Sequence, residues 1–322
     1  MSLPLEGKIA VVTGGGTGMG RELVRQLTAD GCHVAMCDVS EENMLQTKAL
    51  AEAGAPVGTR VTTHFADVSV EADVLAFQSA VIDAHETDHV NLVFNNAGIG
   101  GGGSMIVDSR EEWDKTFGVC FFGVYYCTRA FLPLLVASEE GHLINTSSVN
   151  GFWASLGPFT SHTAYSAAKF GVKGFTEALI TDLRLNAPHV KASVVMPGHV
   201  GTAIVTNSGK ILGTDPKEMT EADLDRVRDR MASFGVDASA FTGDQIRDML
   251  LERARAFEEE APMSAAEAAA VILSGVREER WRILVGDDAA LLDKMVRAES
   301  EIAYEGEFFG RFAEKAGWQL GT

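Results

Sequence analysis

The chain is poor in cysteine. Four thiols in 322 residues, Cys32, Cys37, Cys120 and Cys127, show no metal-type spacing and are too few for a disulfide framework. Reduced, buried thiols and no metal site are what this leaves. Basic residues are scarce as well: 27 Lys and Arg stand against 45 Asp and Glu, a net charge of −18. Such a surface repels phosphate backbones and anionic lipid, which argues against nucleic acid and against a membrane as partners. The start, MSLPLEGKIAVVTGG, has no basic segment followed by an apolar stretch and a cleavage site, and no apolar run is expected to reach the ~18 residues of a membrane span. These absences point to a cytoplasmic protein. A Pro/Ser/Gly-rich linker and an internal repeat are also missing, so the expectation is one domain, although the length would accommodate two of ~100–200 residues.

What is present is apolar material for a sizeable core, 46% against 22% charged residues. Short β-branched runs (KIAVVT, HVAMCD, RVTTHFA, VNLVFN, HLINTS, KASVVM) alternate with helical patterns near 19–30, 41–53, 113–135 and 165–185. That alternation predicts βαβ units and a doubly wound, Rossmann-type α/β fold with a parallel sheet and helices on both faces. After Pro262, Ser264 and Glu267 form a capping-box pattern for a helix to about Gly275, and WRILV reads as a seventh strand. The core is thus expected over 5–202 and 262–286, with a helical tail over 287–322. Residues 203–261 break the rhythm and read as a helical insertion. Thr242 with Gln245 makes another capping box there, and Ile246, Met249, Leu250 and Phe257 share one face of the next helix. A lid over the substrate and simple packing of the insertion onto its own domain are both open.

The segment TGGGTGMG, Thr13 to Gly20, falls where the first strand turns into a helix. Gly14, Gly16, Thr17, Gly18, Met19 and Gly20 are candidates for binding a pyrophosphate. Glycines admit a close ligand, and the free N–H groups and helix dipole favour its charge. The strict G-x-G-x-x-G spacing is absent, and a plain tight turn would use the same glycines. Asp38 ends the second strand 18 residues after Gly20, with Val39 beside it. A carboxylate here accepts ribose hydroxyls, and it repels a 2′-phosphate by ~1 kcal/mol per charge pair in water and ~4 kcal/mol near a protein surface at about 4 Å. Thr17, Val39 and Ser40 are neutral and offer no compensation, which favours NAD over NADP as cofactor. Capping of the next helix is the other use for Asp38, although Ser40 can do that.

Tyr165 and Lys169, four apart, share one face of a helix. For a tyrosine to exchange protons near neutrality its pKa must fall from about 10 toward 7, roughly 4 kcal/mol of preferential phenolate stabilisation, and a neighbouring cation supplies part of that. A surface pair has the same spacing. The order of motifs goes further: TGGGTGMG, Asp67-Val68, Asn95-Asn-Ala-Gly98, Asn145-Thr-Ser-Ser148, YSAAK and Met196-Pro-Gly-His-Val-Gly-Thr202. Together they resemble the short-chain dehydrogenase/reductase superfamily, classical type, over 5–202 and again over 263–285.

The resemblance implies an enzyme interconverting a secondary alcohol and a ketone by hydride transfer to or from NAD. It implies that Ser148 binds the substrate oxygen, Tyr165 is the acid/base, and Lys169 binds the nicotinamide ribose and lowers the Tyr165 pKa. Pro197, Gly198, Val200 and Thr202 would lie at the nicotinamide end of the cofactor, Asp67 and Val68 at the adenine. Asn95, Ala97 and Gly98 would form a backbone floor, with a structural tie between strands as the other role of Asn95. Cys120 stands where the family has an asparagine that leads protons from the lysine to solvent, and a thiol bonds more weakly. A slower or rebuilt relay is expected, and a protein that binds or senses NAD without turnover is the rival reading. An NADP-dependent carbonyl reductase is a second. Phe152, Trp153, Leu156 and Phe159 are expected beside residues 100–104 and the insertion as an apolar substrate lining, suited to a steroid- or terpenoid-like alcohol. The aromatic tail (Phe308, Phe309, Phe312, Trp318) carries more apolar bulk than a short segment readily buries, so it is expected at a subunit contact in the homodimer or homotetramer usual for the family.

Overall fold

The computed structural model describes residues 4–158, 160–233, 237–238 and 240–318. Phe159, expected in the substrate lining, lies outside them. The chain runs β1 (Ile9–Thr13), α1 (Gly18–Ala29), β2 (His33–Asp38), α2 (Glu41–Gly54), β3 (Val61–Phe65), α3 (Glu71–His85) and β4 (Leu92–Asn95). It continues with α4 (Arg110–Phe117), α5 (Gly123–Val136), β5 (Gly141–Thr146), α6 (Thr163–Asn186), β6 (Val190–Pro197) and β7 (Val200–Gly201). Then come α7 (Ile204–Leu212), α8 (Glu221–Ser233), α9 (Gly243–Glu259), β8 (Met263–Ser264), α10 (Ala265–Arg277), β9 (Arg282–Val285), α11 (Asp287–Ala298) and α12 (Gly306–Ala316).

Seven strands form one parallel sheet in the order β3-β2-β1-β4-β5-β6-β9. This is the doubly wound α/β fold expected from the alternation of strand and helix patterns. Alternate side chains along each strand enter opposite layers. Val11, Val93 and Leu143 join the layer that includes Phe131 of α5 and Leu183 of α6, whereas Val12, Phe94 and Ile144 join the layer that includes Leu23 of α1 and Ile272 of α10. Both faces of the sheet are therefore covered, which is why its strands read as nearly continuous apolar runs. The order reverses between β1 and β4, and a crevice opens there at the carboxyl ends of the strands.

The helix expected over 113–135 is interrupted by a π turn over Gly118–Phe122, between α4 and α5. Counter to the expectation of no apolar run of membrane length, the combined helix Arg110–Val136 is long and apolar enough to span a bilayer; among the described residues it alone is so. Of its apolar 18-residue window 56% is buried inside the protein, as in a core helix.

The insertion leaves at β7 and returns at β8, and these two short strands pair in parallel, closing its neck. Both expected capping boxes form, at Thr242 with Gln245 and at Ser264 with Glu267. On α9, Ile246 is buried while Met249 is exposed, and the helix packs against α7, α8 and β7. The tail corrects the sequence reading. Phe308, Phe309, Phe312 and Trp318 are all buried within this chain, in a cluster with Val149, Trp153, Leu292 and Met295. The surface expected from a second subunit is supplied by the segment after β5 and by α11.

Candidate active site

The turn from β1 to α1 is drawn so tight that side chains do not fit. Gly14 and Gly18 have φ of 66° and 53°, a Cβ on Gly14 would lie 2.8 Å from the Ala97 Cα, and one on Gly20 would overlap the Gly14 carbonyl. Thr17, at the N-cap of α1, makes no side-chain capping bond, so the first N–H groups of the helix have no side-chain acceptor there. A glycine cradle and an open helix N-terminus fit the pyrophosphate of a dinucleotide.

Asp38 is tied to this turn. Its Oδ2 accepts from the Gly16 N–H at 2.9 Å and its Oδ1 from the Ser40 N–H at 3.0 Å. Ser40 caps α2 with its own hydroxyl, which frees Asp38 from that alternative role. Arg21, which the sequence reading passed over, donates to the Gly16 carbonyl from Nε at 3.0 Å and Nη2 at 2.6 Å, and to the Thr47 hydroxyl at 3.0 Å. Asp67 follows β3 and bonds Lys115 at 2.6 Å and the Ser69 hydroxyl at 2.6 Å. Burial opposes its charge, but the Lys115 and Ser69 bonds hold the carboxyl below its usual range. Val68 packs its side chain and carbonyl against Gly123 on α5, while Val39 is exposed.

After β4, Asn95 is buried and donates to Asn145 Oδ1 at 2.8 Å and Thr128 Oγ1 at 3.1 Å. Its side chain is a strand-to-strand tie. Asn96, also missed, bonds the Thr13 carbonyl at 3.1 Å and so joins the two loops that border the crevice. Ala97 rests on Gly14, and Gly98 lies beside the Lys169 ammonium.

Ser148 follows β5 at the start of a short helical turn, where its Oγ accepts from the Asn150 N–H at 3.1 Å. Tyr165 enters from the first turn of α6, half-buried, with the Ser148 hydroxyl near enough to its phenol to favour the phenolate. One turn on, Lys169 is buried, donates to the Thr146 carbonyl at 2.9 Å and lies 5.4 Å from the Tyr165 ring centroid. The expected lowering of the phenol pKa by Lys169 is not what this geometry produces. Burial pushes the Tyr165 phenol well above its usual range, with only the Ser148 hydroxyl pulling the other way, and burial likewise pushes the Lys169 ammonium down. His162 went unremarked in the sequence. Its ring lies 4.6 Å from that of Tyr165, and burial lowers its pKa to about 4, so it is neutral at pH 7.

Cys120 sits within the π turn, fully buried, and its Sγ donates to the Ile99 carbonyl at 3.1 Å. The thiol anchors the loop after β4 next to Lys169. π turns often mark functional positions, and this one had no signature in the apolar pattern around it.

The loop after β6 completes the crevice. Thr202 packs against Gly18, Pro197 ends β6 and Val200 is held in β7. From the insertion, Asn207 donates to Thr17 Oγ1 at 3.0 Å and Ser208 accepts from the Gly100 N–H at 2.8 Å, so α7 spans the crevice from one loop to the other. The expected aromatic lining is elsewhere. Trp153 is 1% exposed, stacked on Phe309 at 6.3 Å, with its Nε1–H on the Ala303 carbonyl at 2.6 Å. Phe152 lies under the Arg282 guanidinium at 5.7 Å, and Leu156 packs on the same tail cluster. These three side chains serve the tail.

A dinucleotide-type α/β fold whose crevice gathers a serine, a tyrosine and a buried lysine beside a glycine turn defines a nucleotide-dependent oxidoreductase. The family model of the short chain dehydrogenases matches residues 8–211, and the chain belongs to that family. A Mycobacterium tuberculosis protein named SadH is 33% identical over 292 residues, 91% of either chain. Levodione reductase of Leifsonia aquatica is 32% identical over 67% of this chain and 77% of its own. Among solved structures, a Burkholderia phymatum short-chain dehydrogenase/reductase in complex with NAD superposes with a TM-score of 0.73 at 28% identity, covering 94% of this chain and 98% of its own. A metagenomic short-chain oxidoreductase in complex with NADP gives 0.54 at 31% identity, over 61% and 84%.

Proposed function

We propose that the protein is an NAD-dependent oxidoreductase that interconverts a secondary alcohol and a ketone. The observation that carries this reading is the meeting of Ser148, Tyr165 and Lys169 beside the glycine turn. The Ser148 and Tyr165 hydroxyls bind the substrate oxygen, and the phenol gives it a proton on reduction or takes one on oxidation. Burial keeps the phenol in the protonated form that donates to a carbonyl, while making it a weaker acid than a free tyrosine. A bound nicotinamide supplies the hydride exchange and, when oxidised, a positive charge that favours the phenolate needed for alcohol oxidation. Lys169 orients from behind the ring and binds the ribose; Ala97 and Gly98 form the floor.

Asp38 supports NAD, because its carboxylate stands at the end of β2 where a 2′-phosphate would need a cation. Arg21 is nearby, but its guanidinium is taken up by the Gly16 carbonyl and the Thr47 hydroxyl. NADP remains the second reading, on the strength of the NADP-bound neighbour. The substrate is a small-molecule alcohol or ketone; the case for a steroid-like one rested on Trp153 and its neighbours, which pack inward. A homo-oligomer, if formed, would draw on the exposed Phe122, Tyr125 and Phe170 of the π turn, α5 and α6 rather than on the tail. Four buried, unpaired cysteines suit a reducing, cytoplasmic setting. The test is purified protein with NAD or NADP and a panel of secondary alcohols and ketones, read by nicotinamide absorbance. Turnover lost in Tyr165→Phe with the dinucleotide still bound sustains the reading. Binding without turnover on any substrate favours the sensor.

A further inference from the structure

We propose that Asp288 and Trp318 are positioning residues for the cofactor-facing loop 197–202, so that the tail beyond the family-matched region sets dinucleotide affinity. This rests on the reading of the crevice as a dinucleotide site. Asp288, the second residue of α11, is buried, and three N–H groups converge on its carboxylate. Oδ2 accepts from the His199 backbone N–H at 2.7 Å and from the Trp318 indole at 2.8 Å, and Oδ1 accepts from the Ala289 N–H at 2.8 Å. A Cβ on Gly198 or on Gly286 would overlap this carboxylate, so it is pressed directly onto the backbone of the loop.

Trp318 is fixed in turn by an edge contact with Phe312 at 4.9 Å and lies edge-on to His199 at 6.4 Å. The far end of the same loop is the Thr202 that packs on Gly18 of the glycine turn. The His199 side chain belongs to the insertion: its Nε2–H donates to the Phe257 carbonyl at 2.8 Å, and its ring lies 4.6 Å from the Phe257 ring. One residue therefore has its backbone held by the tail and its imidazole by α9. A loop ordered in this way before binding saves the dinucleotide the cost of ordering it.

The experiment is calorimetric titration of NADH and NADPH into the full chain and into Trp318→Phe, Asp288→Asn and Asp288→Ala, well below each unfolding midpoint. Trp318→Phe keeps an aromatic ring and loses one N–H to a carboxylate, so its cofactor Kd is expected to rise roughly three- to tenfold. Asp288→Ala should weaken binding further, and Asp288→Asn, which keeps an acceptor, should fall between it and the native protein. The KM for cofactor should move while kcat at saturating cofactor stays. An unchanged Kd in Trp318→Phe, whatever happens to its midpoint, overturns the proposal and leaves the tail a purely structural role; that variant decides the matter even if Asp288→Ala does not fold. Native protein that titrates with neither dinucleotide would overturn the reading of the crevice, and this proposal with it.

Discussion

Asp38→Asn isolates the charge proposed to select the cofactor. The amide oxygen can still accept one of the two backbone N–H bonds, from Gly16 or Ser40, so the turn keeps part of its tie to β2 while the negative charge disappears. A carboxylate about 4 Å from a 2′-phosphate charge costs about 1 kcal/mol in water and about 4 kcal/mol near a protein surface, and Asp38 is partly exposed, between these limits. The ratio of kcat/KM for NADP to that for NAD should then rise by roughly fivefold at the lower limit and several hundredfold at the upper. The gain should shrink as ionic strength is raised through ~0.1 M, because screening acts on an exposed pair. Steady-state kinetics with both cofactors at two salt concentrations measure it. A ratio that stays within about a factor of two of the native value would refute the electrostatic account of cofactor choice.

Trp153→Ala should lower unfolding stability by about 3–5 kcal/mol in urea titrations, whereas the substrate KM at temperatures where the variant is folded should hardly move; a large KM effect at native stability would return Trp153 to the substrate side. Cys120→Ala breaks the bond to the Ile99 carbonyl, worth about 1 kcal/mol, and should reduce kcat severalfold with dinucleotide affinity retained. Cys120→Asn, read in the same assay, should recover kcat or exceed it. Stability should also fall with acidity through His142, whose Nε2 bonds Ser193 at 2.7 Å while burial lowers its pKa to about 4. A histidine depressed on folding contributes its stability above the unfolded value of about 6.5 and loses it as pH falls toward the folded value, a window of pH 6.5 to 4 in which the unfolded chain binds the extra proton. The urea midpoint should drop across that window, and less steeply in His142→Gln.

The parts of this molecule that announced themselves in the sequence were those set by local chemistry. Strand runs, the capping boxes at Thr242 and Ser264, the glycine turn and the Tyr165–Lys169 spacing depend on neighbours within a few residues, and the structure has them where the pattern put them. What the pattern misassigned depended on partners far away in the chain. Trp153 and Phe309 are each apolar and each unexplained alone; the sequence reading gave one to the substrate and the other to a second subunit, and they stack on each other. Lys115 on Asp67, Asn207 on Thr17 and Trp318 on Asp288 are contacts of the same long-range kind. The phenol of Tyr165 failed in a different way. A lysine four residues on suggests a lowered pKa, but here burial acts on both groups and disfavours both charges, so spacing alone did not give the sign. Ordered motifs nominate candidate residues for such a crevice, while their protonation has to be read from what surrounds them.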